Sequence, residues 1–187
     1  MSSNPTQRSN LPPVHRYITT HNSDGLATFD TQVPAEAKWT QPVKGADFFL
    51  GYTTTTFPVK VNNDADINAY KPYLEENPGL VVHGGSVCRF VDFTPGAPGA
   101  MHRTTSVDYG VVLEGQLELS LDSGETRIMN RGDVCVQRAT NHSWRNTSQT
   151  EWARMMFVLL ESEAVEVGGK KLGEAIDVFK GGLKKSE

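Results

Sequence analysis

The chain has 187 residues, a formal net charge of -4, 37% hydrophobic and 21% charged residues. That is enough for one domain, or one domain with an arm, with a sizeable core, and the composition is ordinary for a soluble protein. The acidic balance argues against nucleic acid as the main partner, because binding phosphates needs a basic surface. No run approaches the ~20 apolar residues needed to span a bilayer. Met1 to Pro13 is polar and lacks the apolar core of a signal peptide, so the expected compartment is the cytosol and no membrane partner is expected. Cys88 and Cys135 each sit in a strand-like run and read as buried thiols of a reducing compartment. Seventeen glycines and ten prolines favour many turns, and hence many short strands.

Residues 1–13 read as a flexible arm, and 14–79 as an extension packed on the domain that follows. His15 to His21 alternates and is rich in β-formers, so a strand is expected there. Asn22-Ser23-Asp24-Gly25 turns the chain, and Ala27-Thr28-Phe29 returns as the partner strand. Residues 33–47, with Pro34 and Pro42, read as a loop, and Phe48 to Phe57 as a further β run. Asn62 to Asn77 is the first helix expected, capped by Asp64 or Asp66 and ended by Asn77-Pro78-Gly79. Asp64, Asp66, Asn68 and Glu75 also occupy EF-hand-like positions. Ala69 stands where that loop needs glycine, which favours the capped helix over a calcium loop.

From Leu80 strand follows strand: Val87–Phe93, Val107–Leu113, Gln116–Leu121, Thr126–Met129, Val134–Arg138, His142–Asn146 and Trp152–Leu160. Gly, Asn and Asp turns separate them, as in Glu114-Gly115 and Asp122-Ser123-Gly124. This pattern predicts an antiparallel sandwich or barrel over residues 80–162. The tail, 163–187, reads as helical, with an amphipathic stretch from Gly168 to Lys185 whose lysines suit a helix C-terminus.

Within this run, Gly96, five residues, His102-Arg103-Thr104, three residues, Asp108, six residues and Gly115 form one frame. Gly132, Arg138, Thr140, His142 and Asn146 form a second. These frames resemble the two motifs of the cupin superfamily. Thr104 stands where the first motif has its second histidine, and Asp108 stands for its glutamate. Arg138 and Thr140 replace the proline and glycine of the second. The wording around them is similar to small single-domain cupins of filamentous fungi, some associated with secondary-metabolite, often polyketide, tailoring and some described as oxidoreductases. The resemblance implies an all-β fold, a cupin-type double-stranded β-helix (jelly-roll) barrel with an N-terminal β-rich arm and short peripheral helices. It also implies a homodimer formed through the arm.

The resemblance further implies a divalent metal, Fe, Mn or Zn, held by His102, Asp108 and His142. Two imidazoles and a carboxylate can bind such an ion and leave positions open. Asp108 is shorter than glutamate and Thr104 is a poor ligand. Without a metal, His142 and Asp108, with His102, suit proton transfer for a dehydration, decarboxylation or isomerisation. The plain alternative is that both histidines merely fill the barrel. Trp144 shares the strand face of His142, where it either stacks on substrate or fills the interior. Thr104, Arg138 and Arg89 are the other substrate-binding candidates, the arginines for a carboxylate. Alternation points Tyr109 away from Asp108. His83 reads as structural, and His15 and His21 have no expected role. There is no nucleotide-cofactor fingerprint. Three readings stay open: a cupin oxidoreductase acting on a small apolar or aromatic metabolite, a metal-independent lyase or isomerase, and a non-catalytic small-molecule binder. The resemblance leans toward the first.

Overall fold

The computed structural model describes residues 7–179 and 183–186. Its strands are β1 (Ile18–His21), β2 (Ala27–Asp30), β3 (Trp39–Val43), β4 (Ala46–Thr54), β5 (Ser86–Phe93), β6 (Ser106–Glu114), β7 (Gln116–Leu121), β8 (Thr126–Asn130), β9 (Val134–Arg138), β10 (His142–Asn146), β11 (Ala153–Glu161), β12 (Val165–Val167) and β13 (Lys170–Leu172). All pairings are antiparallel. A six-stranded sheet runs β3-β4-β5-β11-β6-β9, and a three-stranded sheet runs β10-β7-β8.

The two sheets pack face to face because alternate residues on each are apolar. Val91, Phe93, Val112 and Met155 of the large sheet meet Leu117, Met129 and Trp144 of the small one. The result is the jelly-roll barrel. Glu114-Gly115 reverses the chain between β6 and β7, and Gly115 takes a φ of 74°, where a side chain is strained. A Cβ there would also lie 2.9 Å from Ala153 Cβ. At the closed end, Asn146 Nδ2 donates to the carbonyls of Phe93, Thr94 and Glu151, tying β10 to the ends of β5 and β11.

A second core lies beside the barrel. Leu80, Val81 and Val82 pack there with Ile67, Tyr70, Leu50 and Leu159. Ile67 and Tyr70 come from α1 (Ala65–Tyr70), which 3-10 turns flank at Asn62–Asp64 and Lys71–Leu74. The expected caps do not form. Asp64 has a φ of 54° and no capping hydrogen bond; its carboxylate accepts from Gln32. Asp66 accepts from the Tyr52 hydroxyl at 2.8 Å. Residues 7–13 lie against the outer face of the large sheet, where Arg8 pairs with Asp47, and Ser9 and Arg154 both reach Asp92.

Two expectations need correction. β3 falls inside the segment read as a loop; as the edge of its sheet it tolerates Pro42, which has no N–H to offer. The expected tail helix is instead the β12–β13 hairpin, turned by Gly168 and Gly169 at φ of 58° and 75°, followed by a 3-10 turn at Asp177–Phe179. Residues 180–182 of that expected helix lie outside the described residues.

Candidate functional site

The two histidines meet through their own backbones. His102 N–H donates to the His142 carbonyl and His142 N–H to the His102 carbonyl, each at 2.9 Å. A reciprocally bonded antiparallel pair sends both side chains to one face. The imidazole centroids are 4.4 Å apart at 48°. The face is the barrel interior, and both rings line a cavity of about 210 Å³.

Hydrogen bonding selects the tautomers. His102 Nδ1 lies 2.9 Å from the Ala100 carbonyl, an acceptor that requires Nδ1–H. His142 Nδ1 lies 3.0 Å from the Thr140 carbonyl and 2.9 Å from Gln137 Nε2, which itself donates to Thr140 O at 2.8 Å. Gln137 Oε1 accepts from Ala139 N–H at 3.1 Å, which fixes the amide orientation. His142 is assigned the Nδ1–H tautomer as well, donating to the Thr140 carbonyl that Gln137 Nε2 also reaches, so both imidazoles keep a bare Nε2. Burial pushes His142 down to about 4, with the neighbouring His102 adding to it and the Thr140 carbonyl opposing. Burial also lowers His102, opposed by the Ala100 carbonyl. At neutral pH both are uncharged acceptors.

Asp108 comes from the inward row of β6, with Ser106, Gly110 and Val112. It is 4% exposed and lines the same cavity. Ser106 Oγ lies 2.5 Å from Asp108 Oδ1 and 2.8 Å from Thr104 Oγ1. Ser106 Oγ is the donor toward both, so its single proton serves one of them at a time and ties the three residues into a hydroxyl–hydroxyl–carboxylate cluster. Burial pushes the Asp108 carboxyl up to about 6, against the Ser106 and Thr104 hydroxyls and the Arg89 charge. Among the described residues it is the one acid that lines the cavity, and it changes charge close to neutral pH.

The rest of the wall is mainly apolar: Phe48, Leu80, Val91, Trp144, Phe157 and Leu159. Trp144 meets His142 edge-on at 6.1 Å. Phe179, from the tail, meets His102 edge-on at 4.9 Å. Arg89 stands in the inward row of β5 among Val87, Val91 and Phe93 and is 3% exposed.

His102, Asp108, His142, Thr104, Trp144 and Arg89 are thus gathered around one cavity. Arg138 is not: it is exposed, because β9 turns Gln137 inward and Arg138 to solvent. Tyr109, 45% exposed, points away as expected. Ser106, Gln137 and Phe179 were not expected. The inward register of β6 and β9 gives a signal for Ser106 and Gln137; Phe179 gives none. The fit to a metal is poor. Among the described residues no three His, Cys, Asp or Glu side chains form a ligand cluster. The carboxylate is bound to Ser106, and Thr104, at the place of a second histidine, is bound to it as well. Two imidazole nitrogens remain, without a third ligand.

Residues 89–159 match the family model for the cupin domain. The chain is 48% identical over 170 residues to Oryzines biosynthesis cluster protein J of Aspergillus oryzae, covering 91% of this chain and 95% of that one. It belongs to the cupin family. This cupin is also 52% identical over 164 residues to Phomopsin biosynthesis cluster protein D of Diaporthe leptostromiformis, covering 87% and 86% of the two chains. It is 43% identical over 164 residues to the cupin-domain-containing oxidoreductase fogC of Aspergillus ruber, covering 87% and 79%. It is therefore a cupin of the kind found in fungal biosynthesis clusters. Among solved structures, the polyketide cyclase RemF from Streptomyces resistomycificus overlaps 79% of this cupin and 84% of its own chain, with a TM-score of 0.47 and 14% identity.

Proposed function

We propose that this cupin is an enzyme of secondary-metabolite biosynthesis that moves a proton on a small, mostly apolar carbonyl metabolite. The observation that carries the reading is the pairing of two uncharged imidazoles, Nε2 bare, with a carboxyl pushed up to about 6 in one apolar cavity. A general base works best when its pKa lies near the working pH, which suits Asp108. Its carboxylate takes a proton from carbon next to the substrate carbonyl, leaving an enolate. The same proton returned to another carbon isomerises the substrate. Delivered to a β-hydroxyl, it releases water. The imidazoles hold a substrate hydroxyl by accepting its hydrogen bond, and the apolar wall excludes water so that these contacts are strengthened.

A second reading keeps the redox class that the name of the fogC relative supports. The enolate formed at Asp108 then breaks a C–H bond on the next carbon, giving up that hydride's two electrons and proton to leave an enone, while dioxygen takes them with the proton held by Asp108 and becomes hydrogen peroxide. In both readings the residues of this chain perform the same proton transfer. The test is conversion of the intermediate that accumulates when the gene is deleted from its host. The purified protein should convert it, keep its rate in EDTA, and lose it in His142→Ala and Asp108→Asn. A rate that EDTA abolishes and Fe, Mn or Zn restores would overturn the metal-independent assignment. A wild-type rate in Asp108→Asn would overturn the proton transfer.

A further inference from the structure

Among the described residues, nothing neutralises the charge of Arg89. Its Nη2 donates to the Gly79 carbonyl at 2.9 Å, and its guanidinium lies 5.1 Å from the Phe48 ring centre. Nη1 is buried and has no hydrogen-bond partner among the described residues. No carboxylate lies within ion-pair reach among the described residues. The acids around it are engaged elsewhere: Glu75 by Lys38, Glu76 by Lys184 and Asp108 by Ser106. Burial lowers Arg89 only to about 10, with Asp108 opposing the shift, so it is a cation at any working pH.

A buried, unpaired cation is costly, because it has left water without a partner to replace it. Folding could have avoided that cost: Val87, Val91 and Phe93, in the same inward row, are all apolar. We propose that Arg89 is the anchor for an anionic oxygen on the substrate, a carboxylate or an enolised or phenolic oxygen, which completes the guanidinium from the cavity side. The Gly79 carbonyl takes one N–H of Nη2, and both N–H groups of Nη1 are left for the anionic oxygen. That oxygen sets the far end of the substrate and leaves the other end to the imidazoles and Asp108. The inference rests on the proposed proton-transfer site for its substrate, but concerns binding and is tested without turnover.

The probes are benzoate, 4-nitrophenolate and neutral benzamide, added to the full-length protein and read by thermal shift and calorimetry. Benzoate, 4-nitrophenolate or both should stabilise the wild type, with benzamide about tenfold or more weaker, as befits a charge-assisted hydrogen bond. The better anion shows which source of the oxygen the anchor takes. Arg89→Met should abolish the anion preference and Arg89→Lys should keep part of it, which covers the case in which Arg89→Met does not fold. His142→Ala should retain anion binding, so a failure of the proton-transfer reading leaves the anchor standing. Asp108→Asn should bind benzoate at least as tightly as wild type. Equal stabilisation by benzoate and benzamide, or an anion preference that survives Arg89→Met, would overturn the anchor. So would failure of both anions to bind the wild type and Asp108→Asn alike, which would leave Arg89 as a distant counter-charge for Asp108.

Discussion

Two arginines are buried in the large sheet to the same extent, 3% exposed each, on opposite faces. Arg154, on the outer face, is saturated. Its Nε and Nη2 grip both oxygens of Asp92 at 2.5 and 2.7 Å, its Nη1 donates to the Pro12 carbonyl at 2.6 Å, and Trp39 stacks on it. Arg89, on the inner face, has one carbonyl, one ring and an orphaned nitrogen. The contrast separates a structural charge from a functional one. A buried ion kept for the fold is completed by the fold, and one kept for a ligand is left incomplete.

Substitution should break that symmetry most visibly at Arg154. Arg154→Met strands the Asp92 carboxylate and is expected to lower unfolding free energy by about 3–5 kcal/mol, measured by urea denaturation. Arg89→Met removes an unpaired cation and is expected to stay within about 1 kcal/mol of wild type, or to exceed it, in the same assay. At the cavity itself, His142→Ala and Asp108→Asn should each lower turnover by about 10²–10⁴-fold with the fold intact, by circular dichroism and rate measurement together.

Asp108 also leaves a signature in stability against pH. Its folded value, about 6, lies above its ordinary 3.8, so the native state binds the extra proton in between. Its burial is free below about pH 4, and the penalty grows as pH rises to 6 and persists above, amounting to about 3 kcal/mol. Asp108→Asn should therefore gain on wild type by about that amount between pH 4 and pH 8 in thermal melts. The smallest effect is expected at Arg138, on the solvent side of β9. Arg138→Ala should change stability by less than about 0.5 kcal/mol and leave turnover unchanged.

Much of this was legible in the chain. Gln116–Leu121, Val134–Arg138 and His142–Asn146 are bounded by turn residues and are strands with those limits. The glycine frames bring His102, Asp108 and His142 to one cavity. What escaped has identifiable causes. β9 presents Val134 and Val136 to solvent and Gln137 to the interior, so its apolar pattern points the wrong way and favours Arg138 over Gln137. The Asp64 cap failed because tertiary partners, Gln32 for Asp64 and Tyr52 for Asp66, took the carboxylates. Phe179 reaches His102 only through the path of the tail, which local periodicity does not encode. Tautomers depend on backbone carbonyls at Ala100 and Thr140, which carry no side-chain signal at all.

The central claim, two uncharged imidazoles with bare Nε2 atoms beside an acid poised near neutrality, can be measured without knowing the substrate. Nitrogen and side-chain carboxyl NMR shifts of His102, His142 and Asp108 should be followed from pH 4 to pH 8. The account predicts Nδ1–H tautomers at both histidines, His142 uncharged down to about pH 4, and Asp108 titrating near 6. An Nε2–H tautomer at His142, protonation of that ring near its ordinary 6.5, or an Asp108 that stays ionised down to its ordinary 3.8 would contradict it.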